Sequence, residues 1–364
     1  MPELKPEQLA RYLSSLLGEQ ITVLGLAILG QPRQDKNNVI KGYGYGTPIR
    51  VDYETADHQR QRAVLHTMSP GPFGHEHMAD RAQVLLWEHQ AFNRLPRHVE
   101  SLDVGGFQSD GSLISLGKVE EVYLLTKYVD GQNYSLDLER IRDNGTLTDL
   151  DLARTDALCD YLLAIHSEAG SDAGLYTRRI RELVGHGECI MGLTDSYAPQ
   201  PLVTPQLLEE IEHRCVRWRW RSKSLTHRMR QIHGDFHPWN ILFRSGVDFR
   251  LLDRSRGEYG DPADDVTCLT LNYFFFSLQR SGRLEGSLET LFLRFWERYL
   301  KKSGDREILR VVAPFYAFRG LVIASPVWYP TLSDAVRRRI LAFVLAVLES
   351  ESFDPSQVNT YAGA

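Results

Sequence analysis

Leu9, Tyr12, Leu13, Leu16 and Leu17 recur at i, i+3, i+4, i+7 and i+8 near the start of the chain. That period places them on one face of an amphipathic helix. The pattern then shortens. Ile21 to Leu29, Ile49 to Tyr53, Ala63 to Met68 and, later, Val122 to Tyr128 are β-rich runs separated by segments containing Gly, Asn, Asp and Pro. They predict strands joined by turns, as in an antiparallel sheet. Among them, Val84, Leu85, Trp87, Glu88 and Leu95 lie in a helical segment that Pro96 stops. After Asp130-Gly131 the character changes. Leu152 to His166 carries an apolar face of Leu158, Leu162 and Ile165, and Leu207 to Trp220, Leu291 to Tyr299 and Ala335 to Leu348 predict further helices. The expected fold class is α+β, with a β-rich lobe over 1–130 and a mainly helical lobe over 131–364 joined near Lys127 to Gly131. Ligands are expected in the cleft of such a fold.

Composition narrows the class without naming it. A chain of 364 residues that is 43% hydrophobic and 24% charged is neither disordered nor fibrous. A formal net charge of −5 argues against a general nucleic-acid or membrane-surface binder. The start shows no basic-then-apolar leader, and apolar stretches such as Leu341 to Leu348 are too short to span a bilayer. Cys159, Cys189, Cys215 and Cys268 make no paired metal spacing and are expected as free thiols. A cytoplasmic protein without nucleic-acid or membrane partners is the expectation.

The chemistry concentrates in Ile232 to Asp265, which reads IHGDFHPWNILF and then, after a turn at Ser245-Gly246, FRLLDRSRGEYGDPADD. Asp235 and Asn240 stand five positions apart, the spacing of base and metal ligand in a kinase catalytic loop. Ile241 to Phe243 and Phe249 to Leu252 predict a hairpin that returns Asp253 toward Asn240. Phosphoryl transfer to a hydroxyl depends on positioning and charge neutralisation more than on covalent help. A carboxylate such as Asp235 can orient the acceptor hydroxyl and take its proton. An amide oxygen and a second carboxylate, Asn240 and Asp253, are hard ligands suited to Mg²⁺.

HGDFHPWNIL followed by LLDRSRGEYGDPADD resembles the signature of the aminoglycoside phosphotransferase and choline kinase-like superfamily, relatives of the protein kinases. His233-Gly234-Asp235, in place of His-Arg-Asp, is similar to the small-molecule branch, as is Gly260-Asp261-Pro262 with Asp265. YLLTKYVDG (Tyr123 to Gly131) resembles the interlobe hinge, and LCDYLLAIHS the helix ahead of the catalytic segment. The resemblance implies a bilobal protein-kinase-like fold. It implies ATP and Mg²⁺ as cofactors and a small-molecule hydroxyl as acceptor, whether aminoglycoside-like, choline-like or another metabolite. It places catalysis at Asp235 with His233, metal at Asn240 and Asp253, and the nucleotide near Lys127 and Val129.

Several neighbouring residues read more simply. His233 and His237 lack a third metal partner and are expected to orient the loop through backbone hydrogen bonds. Asp261-Pro262 reads as N-cap and first residue of a helix, and Asp265 as a scaffold for the catalytic loop. Gly42, Gly44 and Gly46, interleaved with Tyr43 and Tyr45, suit a loop over phosphates, since glycines let amides approach an anion. The resemblance calls for a lysine after Ala63-Val64-Leu65, and this chain has His66 there, with Glu88 as the partner on the following helix. An imidazole can donate one bond to a phosphate, and Lys41 is the alternative cation. Phe292, Phe295, Trp296 and Tyr299 recur at helical spacing as core, at least one ring of Tyr273 to Phe276 is expected to face the cleft, and Trp328-Tyr329 are candidates for an acceptor pocket. For acceptor charge the sequence is balanced, Glu258 and Asp264 suiting a cation and Arg254 and Arg256 an anion. Three rivals remain: a degenerate nucleotide-binding module motivated by His66, an adenylyl transferase using the same groups, and a protein kinase, which Gly234 opposes.

Overall fold

A computed structural model describes residues 4–29, 46, 48–71, 73–198 and 200–363. The chain divides into two compact units, Met1–Thr126 and Lys127–Ala364. The first unit is small and β-rich and the second larger and mainly helical, which is the expected α+β class.

In the first unit, helix α1 (Pro6–Leu17) starts with Pro at its first position and ends at Gly18, whose φ of 75° is the left-handed conformation a helix stop requires. Strands β1 (Thr22–Ile28), β2 (Ile49–Glu54) and β3 (Arg60–Leu65) form an antiparallel sheet in that order. The apolar face of α1 closes it, so Leu9 and Leu13 pack with Ile21, Val51 and Tyr53 in a small core. Helix α2 (Met78–Phe92) and a short hairpin of β4 (Gly105–Phe107) and β5 (Leu113–Ser115) complete the unit. Two expectations need correction. β3 ends at Leu65, so His66 lies one residue beyond the strand. The predicted strand Val122 to Tyr128 is absent: residues 121–131 have no regular structure, and Val122, Tyr123, Leu124, Leu125 and Tyr128 are exposed. An apolar run becomes a strand only where a neighbour takes its backbone hydrogen bonds, and the described residues supply no such partner.

The second unit holds β6 (Gln132–Asn133), α3 (Tyr134–Asn144), α4 (Asp149–His166), α5 (Ala173–Gly185), α6 (Ile190–Asp195), α7 (Pro205–Ser222) and β7 (Arg230–Gln231). There follow β8 (Ile241–Phe243), β9 (Phe249–Leu251), β10 (Tyr259–Gly260), α8 (Ala263–Ser281), α9 (Gly286–Ser303), α10 (Ala313–Ala324), α11 (Asp334–Glu349) and α12 (Val358–Tyr361). Helix α4 opens with a capping box in which Thr148 and Asp151 satisfy each other's backbone amides. Its core is large and continuous, centred on α8, α9, α10 and α11. Phe292, Phe295, Trp296 and Tyr299 are buried in it. So are Tyr273, Phe274, Phe275 and Phe276, which corrects the expectation that one of these rings lines a cleft. Helix α8 is enclosed on every face and has no open side on which to present a ring. The four cysteines are free and buried. Among the described residues no helix is long and apolar enough to cross a membrane.

Candidate active site

Antiparallel β8 and β9 pair with Ile241 opposite Leu251 and Phe243 opposite Phe249, closed by a turn at Gly246 (φ 56°). The pairing continues past the strands, since Leu252 N donates to Asn240 O at 2.9 Å. It therefore fixes Asp253, the next residue, beside Asn240. Asp253 adopts φ 50°, a left-handed conformation that Asp tolerates better than most side chains. It is exposed and, among the described residues, makes no hydrogen bond or ion pair, so its carboxylate is open to a ligand.

The candidate catalytic loop is bound to the helical core through α8. Asp265, on α8 and fully buried, accepts from His233 N at 2.8 Å, Gly234 N at 2.7 Å and His166 Nε2 at 3.1 Å. Burial pushes this carboxyl up, but His166 and the two amides outweigh it and hold Asp265 below the ordinary carboxylate range. His233 accepts at Nδ1 from Asp235 N at 3.3 Å, and burial keeps its imidazole biased toward the neutral form that such a bond needs. His237 likewise accepts from Trp239 N at 3.2 Å. Its Nε2 stands 3.5 Å from Asp235 Oδ2. Both histidines orient the loop. Asp261 accepts from Ala263 N at 3.0 Å as a cap does, although the helix begins after Pro262 and not at it. Its carboxylate is also held by Arg228, at 2.8 and 3.0 Å, and by the Tyr176 hydroxyl at 2.8 Å.

Asp235 is held at both oxygens. Oδ2 accepts from Asn240 Nδ2 at 3.2 Å, and Oδ1 accepts from Arg319 Nη1 at 2.5 Å. Burial raises the Asp235 carboxyl, yet His237, Arg319 and Arg256 together hold it below the ordinary range, so it is ionised at neutral pH. The Asn240 amide donates to Asp235 through Nδ2, also to its backbone oxygen at 3.1 Å, which leaves Oδ1 as the acceptor end. An amide oxygen and an unpaired carboxylate in adjacent positions fit a hard divalent cation. Among the described residues no cluster of three His, Cys, Asp or Glu forms a metal cage, and an Mg²⁺ site of few protein ligands needs none.

Arg319 was not legible as a site residue from local motif. It is the only charge in α10 (APFYAFRGLVIA), and a lone charge in an apolar helix must find partners when buried. It finds Asp235, Gly234 O at 2.8 Å and Asp264 Oδ1 at 2.7 Å. Tyr329 packs against Trp239 of the loop with centroids 6.3 Å apart, whereas Trp328 is 63% exposed. Burial, with Cys268 and Asp235 nearby, pushes the Tyr329 phenol up to about 12.

In the first unit, His66 Nε2 lies 3.5 Å from Glu88 Oε2, both side chains partly exposed. Gly46 is packed against Thr67, whose carbonyl oxygen would lie 2.0 Å from an added Cβ, so only glycine fits there. Gly42, Gly44, the flanking Tyr43 and Tyr45, and Lys41 fall outside the described residues. Lys127 is exposed and Val129 half-buried in the irregular stretch after Thr126.

Three solved structures illustrate what the chain is similar to. An amicoumacin kinase in complex with AMP-PNP, Ca²⁺ and Ami matches at 13% identity and TM-score 0.39, covering 98% of this chain and 93% of that one. The choline kinase LicA from Streptococcus pneumoniae matches at 13% and 0.36, covering 94% and 98%. The Plasmodium vivax ethanolamine kinase matches at 13% and 0.34, covering 93% and 80%. No curated protein matches the chain in sequence. The family model described as "Phosphotransferase enzyme family" matches residues 54–310, which is more than half of the chain and includes the whole catalytic loop and hairpin. On that match, the chain belongs to the phosphotransferase enzyme family.

Proposed function

We propose that the protein transfers the γ-phosphoryl group of ATP, with Mg²⁺, to a hydroxyl of a small molecule. The observation that carries this reading is the joint placement of three groups. Asp235 is ionised and fixed at both oxygens, Asn240 is bonded to it with its amide oxygen free, and Asp253 is unpaired at the end of the hairpin. In this reading Asp235 accepts the acceptor hydroxyl as a hydrogen-bond donor and aims its oxygen. A carboxylate held this low is a weak base. That suits a loose transition state in which positioning matters more than early proton removal. Asn240 and Asp253 would hold the Mg²⁺, which supplies charge neutralisation on the phosphates. Asp265, His233 and His237 keep the loop in place. His66 oriented by Glu88, the Gly42–Gly46 loop, and Lys127 with Val129 are proposed as the nucleotide-binding groups. The first unit then serves as the nucleotide-covering lobe and the second as the catalytic and acceptor lobe. Four free thiols and the absence of a strong positive charge support a cytoplasmic protein without nucleic-acid partners.

One observation favours a second reading. His66 stands where the resemblance calls for a lysine, and a weaker phosphate contact there suits a module that holds nucleotide without turnover. Mg²⁺-dependent ATP consumption across a metabolite panel separates the two, with Asp235→Ala as control. Product mass then distinguishes phosphoryl from adenylyl transfer. Consumption that depends on Asp235 and yields ADP supports the proposal, and none in any mixture defeats it.

A further inference from the structure

Packing alone gives no reason for Arg319. Helix α10 is otherwise without charge, and a buried ion pair is often worth no more to stability than apolar side chains of similar volume. Its Nε is buried without a partner, which is unfavourable. The other two nitrogens are placed specifically. Nη1 donates to Asp235 Oδ1 at 2.5 Å, and Nη2 donates to Gly234 O at 2.8 Å and to Asp264 Oδ1 at 2.7 Å. One rigid, planar guanidinium thus grips both the Asp235 carboxylate and the carbonyl of the residue before it.

Gly234 adopts φ 84°, and its N–H donates to Asp265 Oδ1 at 2.7 Å. The peptide groups on either side of Gly234 are therefore both fixed, one through Asp265 and the other through Arg319. The carboxylate needs an anchor of its own, because the last torsion of an Asp side chain is broad. The Asn240 amide reaches Oδ2 only at 3.2 Å, the long end of the hydrogen-bond range, whereas Arg319 supplies a short, charge-assisted bond. Asp264 lies in the first turn of α8. Among the described residues, Arg319 is the only hydrogen-bond partner of its side chain.

We propose that Arg319 and Asp264 are positioning residues for the transfer: Asp264 orients the Arg319 guanidinium, and Arg319 sets the Asp235 carboxylate in the orientation that receives the acceptor hydroxyl. This rests on the phosphotransferase reading above. In the transfer, the acceptor oxygen bonds to the γ-phosphorus and the bond from that phosphorus to the ADP oxygen breaks. The hydroxyl proton passes to Asp235, leaving a phosphate ester and ADP. Arg319 and Asp264 make and break no bond in this step and act only through Asp235. Misplacing a reacting group by about 1 Å can cost about 100-fold in rate, which is the effect expected when Arg319 is lost.

The test assays the full chain with Mg²⁺-ATP and an acceptor identified as the parent of an Asp235-dependent phosphorylated product in a metabolite extract. Below its melting temperature, Arg319→Met is expected to lose about 100-fold in kcat, with ATP KM unchanged and partial rescue in Arg319→Lys. Asp264→Asn alone is expected to lower kcat by a smaller factor. The double variant separates positioning from stability. Asp264→Asn removes a stranded carboxylate and so restores part of the melting temperature of Arg319→Met. Its kcat is expected to stay at the Arg319→Met level, since Asp264 acts only through Arg319. A kcat that recovers with the melting temperature overturns the inference and leaves the phosphotransferase reading intact. So does a near-normal kcat in Arg319→Met, or a loss that falls on ATP KM. No Asp235-dependent product in any mixture defeats the phosphotransferase reading and the inference with it. Should Arg319→Met fail to fold, the double variant decides, and a kcat near that of the unaltered protein overturns the inference.

Discussion

Arg319→Met removes the cation that joins Asp235 and Asp264 while keeping an apolar stem of similar length in α10. The wild-type residue is 7% exposed, and its side chain contacts Asp235 Oδ1 at 2.5 Å, Asp264 Oδ1 at 2.7 Å and Gly234 O at 2.8 Å. Deleting one partner of a buried ion pair costs about 3–5 kcal/mol, because the remaining charges are left without compensation. For a unit of this size each kcal/mol lowers the melting temperature by about 2–4 °C, so a fall of roughly 6–20 °C is expected. Adding Asp264→Asn removes one stranded carboxylate and should recover part of the loss, a coupling of about 0.5–3 kcal/mol. The pH dependence follows from Asp235, which is held below its ordinary value of 3.8 despite burial. A depressed carboxyl adds stability above its unfolded-state pKa, and that stability is lost as pH falls through the folded-state value. In Arg319→Met the Asp235 carboxyl rises, so the loss of stability on acidification becomes shallower. Urea unfolding followed by circular dichroism at neutral and acid pH measures all three effects. A loss below about 1 kcal/mol, or strict additivity with Asp264→Asn, would refute the account of this network.

Asp253→Asn keeps a residue that tolerates the φ of 50° and removes the charge proposed to bind the metal. It should weaken Mg²⁺-dependent nucleotide binding with little change in melting temperature, and unchanged affinity by calorimetry with Mg²⁺ takes Asp253 out of the metal site. His66→Lys should tighten Mg²⁺-ATP binding, because an ammonium brings a full point charge and three donors to the phosphates. Identical titrations for the two proteins would show that His66 does not contact phosphate.

Local motif made the β8–β9 hairpin, Asn240 and the exposed Asp253 legible, because spacing and turn chemistry alone determine them. Amphipathic α1, α4, α7, α9 and α11 were visible for the same reason, as their apolar positions repeat. Helix α8 was announced only by its start at Asp261-Pro262, since burial on every face erases the periodic stripe. The two-residue strands β6, β7 and β10 are too short to leave a pattern, although β6 ties the chain beyond Lys127 to Phe243 and Leu242. Arg319 lies 84 positions from Asp235, and only the packing of α10 brings them together. The run Val122 to Tyr128 shows the converse, a strand-like sequence without a strand, because a strand exists only with a neighbour to pair with.

In the proposed mechanism Asp235 acts on the acceptor and not on the nucleotide. Steady-state kinetics of Asp235→Asn with an acceptor identified by product mass tests it most directly. A fall in kcat of about 100-fold or more is expected with little change in ATP KM, because orientation and proton acceptance are lost while Asn240 and Asp253 remain. A near-normal kcat in Asp235→Asn, or a loss that falls on ATP binding instead, would contradict it.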